Sequence, residues 1–115
     1  MQNVRDYIKE NYENPISISE LSSQFNRSKT SLCINFKKEI GETIMEYLWK
    51  VRIERAKDLL KSRTLLSNED IAFSCGFSEV SHFYRRFKKH TGLTPSLYLQ
   101  SKVYIDSGSL LKLSK

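Results

Sequence analysis

The chain has 115 residues, of which 28% are charged and 39% hydrophobic, which is typical of one soluble globular domain or of two very small ones. No apolar run approaches the roughly 20 residues of a membrane-spanning helix. The charged N-terminal stretch has no signal-peptide core, so we expect a cytoplasmic protein with no membrane partner. The net charge is +6, and this basic surplus favours a polyanionic partner.

Apolar residues recur at helical spacing along the chain, which predicts an all-α fold. The first helix is predicted to end near Asn14. Ser17 and Glu20 form a capping-box pattern that opens a short second helix. Ser28 is predicted to cap a third helix, which ends at Gly41.

The second half of the chain is predicted to hold four more helices, which begin at Thr43, Ser67, Ser78 and Thr94. The first of these is long and extends to about Lys61, and the third ends at Gly92. Residues 103–115 are predicted to form a mixed tail with a break at residues 106–109. Leu110, Leu111 and Leu113 could pack back on the domain or contact a partner, with a frayed end as the alternative.

The chain nearly repeats itself. Matching residues are 50 positions apart before the second helix of each repeat and 51 positions apart after it, so one residue is inserted at the start of that helix. The matching segments are Leu21-Ser22 with Ile71-Ala72, Phe36-Lys37-Lys38 with Phe87-Lys88-Lys89, Gly41 with Gly92, and Tyr47-Leu48 with Tyr98-Leu99. Two copies of one small helical unit suggest two similar surfaces that meet two similar targets. Double-helical DNA offers such targets one helical turn apart.

Each repeat has the pattern of a helix-turn-helix unit, which needs a small residue at the helix crossing, a turn residue that tolerates positive φ, and a second helix with one buried face. These residues are Ser22, Asn26, Leu32 and Phe36 in the first repeat, and Ala72, Gly76, Phe83 and Phe87 in the second. We therefore predict a first helix-turn-helix subdomain over residues 1–41, a linker helix over 42–62, a second subdomain over 63–102 and the tail over 103–115.

The outward faces of the two second helices are the candidate DNA-reading surfaces, because successive helical residues turn by about 100°. The predicted base contacts are Thr30, Cys33, Ile34, Ser81, His82 and Arg85. The predicted phosphate contacts are Lys29, Lys37, Lys38, Tyr84, Arg86, Lys88 and Lys89, followed by Lys50, Arg52 and Arg55 of the linker. Ile34 and Arg85 hold equivalent positions. We expect Ile34, with Thr30, to contact thymine methyl groups; the alternative for Ile34 is an exposed side chain without a role, or a protein contact. We expect Arg85 to bind guanine at O6 and N7, or a phosphate if the helix lies higher in the groove.

Residues 70–98, DIAFSCGFSEVSHFYRRFKKHTGLTPSLY, resemble the signature of the AraC/XylS family of bacterial transcription regulators. Residues 36–41 and 47–60 are similar to the first unit and linker helix of that family. The resemblance covers roughly residues 3 to 100. This chain differs from the common pattern at Ser22, where alanine is usual, at Asn26, where glycine is common, and at Leu99, where arginine is usual.

The resemblance implies a fold of about seven helices with two helix-turn-helix units joined by the long helix. It also implies a sequence-specific double-stranded DNA-binding transcription regulator, with activation as the expected mode, that places two recognition helices in successive major grooves. Promoter DNA and RNA polymerase are the implied partners, and no cofactor is implied. The family's usual sensory domain is absent from the sequence, so we expect a stand-alone member or the DNA-binding end of a longer regulator.

Two other functions are alternatives at this point. A DNA-repair enzyme with an alkyl-accepting cysteine would need a cysteine cluster, and Cys33 and Cys75 are the only cysteines, so we predict no catalytic residue. A structural zinc site would need about four ligands, and His82 and His90 are the only histidines, so we predict no metal.

A degenerate helix-turn-helix that serves as a protein-interaction module would show an apolar stripe on its reading face. Arg85 and Lys88 argue against this in the second unit, whereas the first unit leaves it open.

Overall fold

The computed structural model describes the backbone of residues 2–62 and 65–108 and the side chains of residues 3–62 and 65–101. The helices are α1 (Gln2–Asn11), α2 (Ile18–Gln24), α3 (Lys29–Ile40), α4 (Ile44–Lys61), α5 (Asn68–Ser74), α6 (Val80–Thr91) and α7 (Pro95–Gly108). The described part of the chain holds these seven helices and no strand, so the predicted all-α fold is confirmed.

The chain divides into two compact units, the first ending at Arg52 and the second beginning at Ile53. Residues of α4 therefore belong to both units, and the predicted boundaries around a separate linker helix stay a prediction. The core of the first unit draws buried side chains from α1, from the segment before α2, and from α2, α3 and α4. These side chains are Val4, Ile8, Ile16, Leu21, Leu32, Phe36, Ile44, Tyr47 and Leu48.

The second unit is built around aromatic rings that link the α5–α6 turn, α6 and α7. The centroid of Phe83 lies 5.4 Å from that of Phe77 and 5.6 Å from that of Phe87. The ring of Phe87 contacts Tyr98 of α7 edge-on at 5.4 Å. Such tilted and edge-on contacts add to the free energy of burial, so this row of rings fixes one face of α6 inward.

The sequence repeat is also a repeat of backbone geometry. In the α2–α3 turn, the Arg27 N–H donates to the Ser22 carbonyl at 3.0 Å, and in the α5–α6 turn the Phe77 N–H donates to the Ala72 carbonyl at the same distance. In the first unit only, the Ser22 hydroxyl also donates to the Arg27 carbonyl. Both turns therefore close in the same way, although their crossing residues differ.

The offset between the two units grows from 50 to 51 residues because the second unit has one extra residue, which lies in the turn between α5 and α6. Ser28 caps α3, and its hydroxyl accepts from the Ser31 N–H at 3.1 Å. The N-cap of α6 is Glu79, which makes no side-chain capping hydrogen bond. The predicted start of α6 at Ser78 is thus wrong by one residue, since Ser78 falls in the turn before the N-cap.

The predicted starts of α4 and α5 and the predicted end of α3 are confirmed, whereas α1 ends at Asn11, three residues before the predicted end near Asn14. The Thr43 hydroxyl accepts from the Glu46 N–H at 3.1 Å, and the Glu46 carboxylate accepts from the Thr43 N–H at 3.2 Å. Ser67 and Asp70 form a second reciprocal capping box, and Gly41 ends α3 with φ 94°. Each of these contacts joins residues within four positions of one another, so each end is determined by local sequence.

The last helix is longer than predicted. α7 continues to Gly108, whereas the sequence predicted a mixed tail from residue 103 and a break at residues 106–109. Residues 102–107 contain neither glycine nor proline, the residues that most oppose a helix, and Gly108 is the last helical residue. The predicted contacts of Leu110, Leu111 and Leu113 lie outside the described residues.

The turn residue of the first unit offers a test of this geometry. Asn26 has φ 55°, and its counterpart Gly76 has φ 102°. We expect Asn26→Ala to lower the free energy of unfolding by about 1 kcal/mol, because alanine adopts the left-handed conformation less readily than asparagine. Asn26→Gly should stay within about 0.5 kcal/mol of the parent chain. Urea unfolding measures both, with Ser23→Ala on the exposed face of α2 as the control. An Asn26→Ala variant as stable as the parent chain would contradict the strain argument.

Candidate nucleic-acid interface

The outward face of α3 carries every base-contact candidate of the first unit. Leu32 and Phe36 are 0% exposed and fix the inward face, as predicted. Thr30, Cys33 and Ile34 are exposed on the other side. Ile34 is 60% exposed, and it is the only exposed large hydrophobic side chain in the described part of the first unit. The centre of this face is therefore apolar.

The outward face of α6 has a different chemistry. Phe83 and Phe87 are 0% exposed, whereas Ser81, Arg85 and Lys88 are exposed. At the position equivalent to Ile34, Arg85 offers five N–H donors in a planar fork. The two faces can thus make different contacts with a base edge, one apolar and one through hydrogen bonds.

His82 and Arg86 are less open than the other candidates on α6. The imidazole of His82 is half-buried and meets the ring of Phe77 edge-on, with centroids 5.3 Å apart. Arg86 is also half-buried. The structure therefore gives His82 a packing contact at the turn, which periodicity alone did not reveal.

Most of the predicted phosphate contacts are exposed cationic side chains of the two recognition helices. Lys29, Lys37 and Lys38 are exposed on α3, and Tyr84, Lys88 and Lys89 are exposed on α6. The ion pairs Lys50–Glu42 and Lys57–Glu54, at 3.1 and 3.0 Å, use no lysine of either helix. Lysines in the last turn of a helix also interact favourably with the helix dipole, so the charges at the ends of α3 and α6 are compatible with their folds.

Arg52 is not a surface residue, so its assignment as a phosphate contact is wrong. It is 7% exposed, and its Nε and Nη2 donate to the carbonyls of Tyr12 at 2.7 Å and Asn14 at 3.1 Å. Arg52 therefore holds the segment after α1 against α4. Its position four residues after the buried Leu48 was a sequence signal for this inward placement. Lys50 and Arg55 are exposed, and Lys50 is paired with Glu42.

The described side chains contain no group of three or more His, Cys, Asp or Glu residues that could hold a metal ion. Cys33 is exposed and Cys75 is buried, and neither forms a disulfide. Within the described part of the chain, none of the helices combines the length and the apolar character that crossing a bilayer requires.

Comparison with known proteins places these features in a family. A helix-turn-helix domain model matches residues 21–101. The chain is 37% identical over 95 residues to the uncharacterized HTH-type transcriptional regulator YijO of Escherichia coli K12, which covers 83% of this chain and 33% of that protein. The chain spans about a third or less of the length of the first curated relatives that it matches.

Solved structures share the fold over nearly their whole length. The C-terminal domain of the two-component response regulator yesN from Fusobacterium nucleatum is 36% identical with a TM-score of 0.79, over 85% of this chain and 95% of that one. A probable AraC family transcriptional regulator from Rhodopseudomonas palustris is 32% identical with a TM-score of 0.79, over 87% and 94%. The duplicated turn, the two exposed recognition helices and these matches show that the chain belongs to the AraC/XylS family of helix-turn-helix DNA-binding domains.

Proposed function

We propose that this chain binds specific double-stranded DNA sites in promoters by inserting α3 and α6 into successive major grooves, and that it thereby regulates transcription. The observation that carries this proposal is the same helix-turn-helix geometry formed twice, each time with the outer face of its second helix exposed. A recognition helix in the major groove is the docking mode of such units.

The site residues divide by chemistry into two proposed roles. Thr30, Cys33, Ile34, Ser81, His82 and Arg85 are proposed to contact base edges. Lys29, Lys37, Lys38, Tyr84, Arg86, Lys88 and Lys89 are proposed to contact phosphates. Phosphate contacts fix the register of the protein on the duplex, whereas base contacts select the sequence. Because His82 already packs on Phe77, we propose that only its outer edge reaches DNA.

The regulatory outcome is a further part of the proposal. We propose that the bound chain activates transcription through contact with RNA polymerase at the promoter, in the cytoplasm at the nucleoid. The matched region makes up only 23 to 33% of the first curated relatives, so a sensory domain that controls binding is proposed for the whole regulator. The general test of DNA recognition is selection of bound duplexes from a random library, and failure to enrich any sequence would overturn the proposed function.

Arg85 is the residue through which the second half-site is tested most directly. We expect Arg85→Ala to lower the affinity for a selected site by about 1–3 kcal/mol, roughly 5- to 150-fold, because a bidentate contact with guanine O6 and N7 is lost. The loss should be confined to sites that carry the guanine. Fluorescence anisotropy on the parent duplex and on duplexes with that base pair exchanged measures the effect.

Two further variants serve as controls for Arg85. Arg85→Lys keeps the charge but not the planar fork, so it should retain nonspecific binding and lose most of the guanine preference. Lys89→Ala should weaken binding to every sequence alike, as expected of a phosphate contact. If Arg85→Ala also lowers affinity equally for all sequences, Arg85 contacts a phosphate and its proposed role in base reading is wrong.

A further inference from the structure

We propose that the first recognition helix recognises the C5-methyl group of pyrimidines, so that 5-methylcytosine can replace thymine in its half-site, whereas cytosine, which lacks the methyl group, binds about fourfold more weakly. Binding to that half-site would then respond to C5-methylation of cytosine in DNA. The inference rests on the proposed function, because it requires α3 to lie in the major groove.

The first observation is the unusual exposure of Ile34. Ile34 lies in the middle of α3 and is 60% exposed, so most of its apolar surface is in water. It stands where Arg85 stands in the second unit, flanked by Cys33 and Thr30, which are exposed as well. Only the Thr30 hydroxyl is a strong hydrogen-bonding group among these three side chains. The first unit thus has no counterpart to the arginine fork at this position.

The second observation is a groove of about 600 Å³ beside this face. Its apolar walls come from α2, α3 and the start of α4, and its residues are Ile18, Cys33, Ile34, Lys37, Lys38, Thr43, Ile44 and Met45. Ile34 therefore forms the edge of a broader apolar surface rather than an isolated contact. Lys37 and Lys38 are exposed at the same groove. The apolar walls favour an apolar group, and the two lysines favour a partner with negative charge. DNA provides both, because the methyl group at C5 of a pyrimidine faces the major groove and the backbone carries the phosphates.

The chemistry of the base edges sets the selectivity. In the major groove thymine presents O4 and a C5-methyl group, whereas cytosine presents an amino group at N4. Isoleucine can neither donate nor accept a hydrogen bond, so it cannot distinguish O4 from the amino group. A methyl group at C5 occupies the same place in thymine and in 5-methylcytosine. The expected discrimination per methyl is about fourfold, the value for removing one such group from water.

The experiment compares two selections with the same chain. One random duplex library contains ordinary cytosine, and in the other every cytosine is replaced by 5-methylcytosine. We expect the first to enrich thymine at one or two positions of one half-site, and the second to enrich thymine or 5-methylcytosine at those same positions. In the selected duplex, exchange of that thymine for deoxyuridine removes only the methyl group and should lower the affinity about fourfold.

Variants at Ile34 assign the effect to this side chain. Ile34→Ala should remove the difference between thymine and deoxyuridine, whereas Ile34→Val keeps both branches at Cβ and should retain it. Because the side chain is exposed and alanine favours helix more strongly than isoleucine, neither variant should unfold the domain. The melting temperature checks this directly.

Each outcome is decisive. Equal affinity for thymine and deoxyuridine, with sequence-selective binding otherwise intact, would overturn the methyl inference and leave the proposed function standing. A thymine preference that survives Ile34→Ala would overturn the role of Ile34. If neither library enriched any sequence, the proposed function itself would fail.

Discussion

Raising the salt concentration from 50 to 200 mM is expected to lower the affinity of this chain for a selected DNA site by roughly 10³- to 10⁵-fold. The reason is the release of counterions from about 6–10 phosphates that the protein neutralises. The five exposed lysines of α3 and α6, with Arg86, supply six cations, the lower end of this range. Anisotropy titrations over a series of salt concentrations give the slope of the logarithm of the affinity against the logarithm of the salt concentration.

Single variants assign the slope to residues. Lys37→Ala and Lys88→Ala, at equivalent positions of the two units, should each reduce its magnitude by about 0.9. Lys57→Ala is the matched control, because Lys57 already donates a hydrogen bond to the Glu54 carboxylate, which partners its charge and raises its pKa. A slope near zero for the parent chain, or no DNA binding at low salt, would contradict the electrostatic basis of the proposed interface.

The helix ends of this fold were predictable because their determinants are local. Thr43 with Glu46 and Ser67 with Asp70 each form a capping box within one turn. Such signals need no knowledge of the rest of the fold. The inward faces of α3 and α6 were predictable for a related reason, since helical periodicity alone separates Leu32 and Phe36 from Ile34.

The differences arise where distant residues decide the outcome. Arg52 is buried because its guanidinium meets the carbonyl of Tyr12, which lies 40 positions away in the chain. Its charge alone predicted a surface contact. The N-cap of α6 falls at Glu79 although serine is usually the better cap. Phe77 is 2% exposed and packs against Phe83, so tertiary packing outweighs the local preference at this turn.

The reading surfaces were predictable as surfaces but not as contacts. Exposure of Arg85 and Lys88 follows from periodicity, whereas their division into base and phosphate contacts depends on the position of the DNA. Ile34 is a second residue whose exposure is predictable while its surroundings are not. The sequence predicts that it faces outward, but the apolar groove beside it depends on Ile18 and Met45, which the fold brings to it from other helices.

Inserting about five base pairs between the two half-sites of a selected duplex should reduce the affinity roughly 10²- to 10⁴-fold. Two linked units bind one duplex with a high effective concentration for the second contact, and that advantage is lost when the second half-site is out of reach. Half a helical turn of extra DNA moves the second major groove to the opposite face of the duplex. The chain can then occupy only one half-site at a time.

The control for this insertion is a duplex in which the second half-site is scrambled without any change in length. If both units bind, the scrambled and the inserted duplexes should have similar low affinities, since the chain can occupy only one half-site at a time on either duplex. Footprinting of the parent duplex should show two protected major-groove segments about ten base pairs apart on one face. Undiminished affinity after the insertion would mean that only one unit engages DNA. One of the two helix-turn-helix units would then have the repeated turn geometry without taking part in DNA recognition.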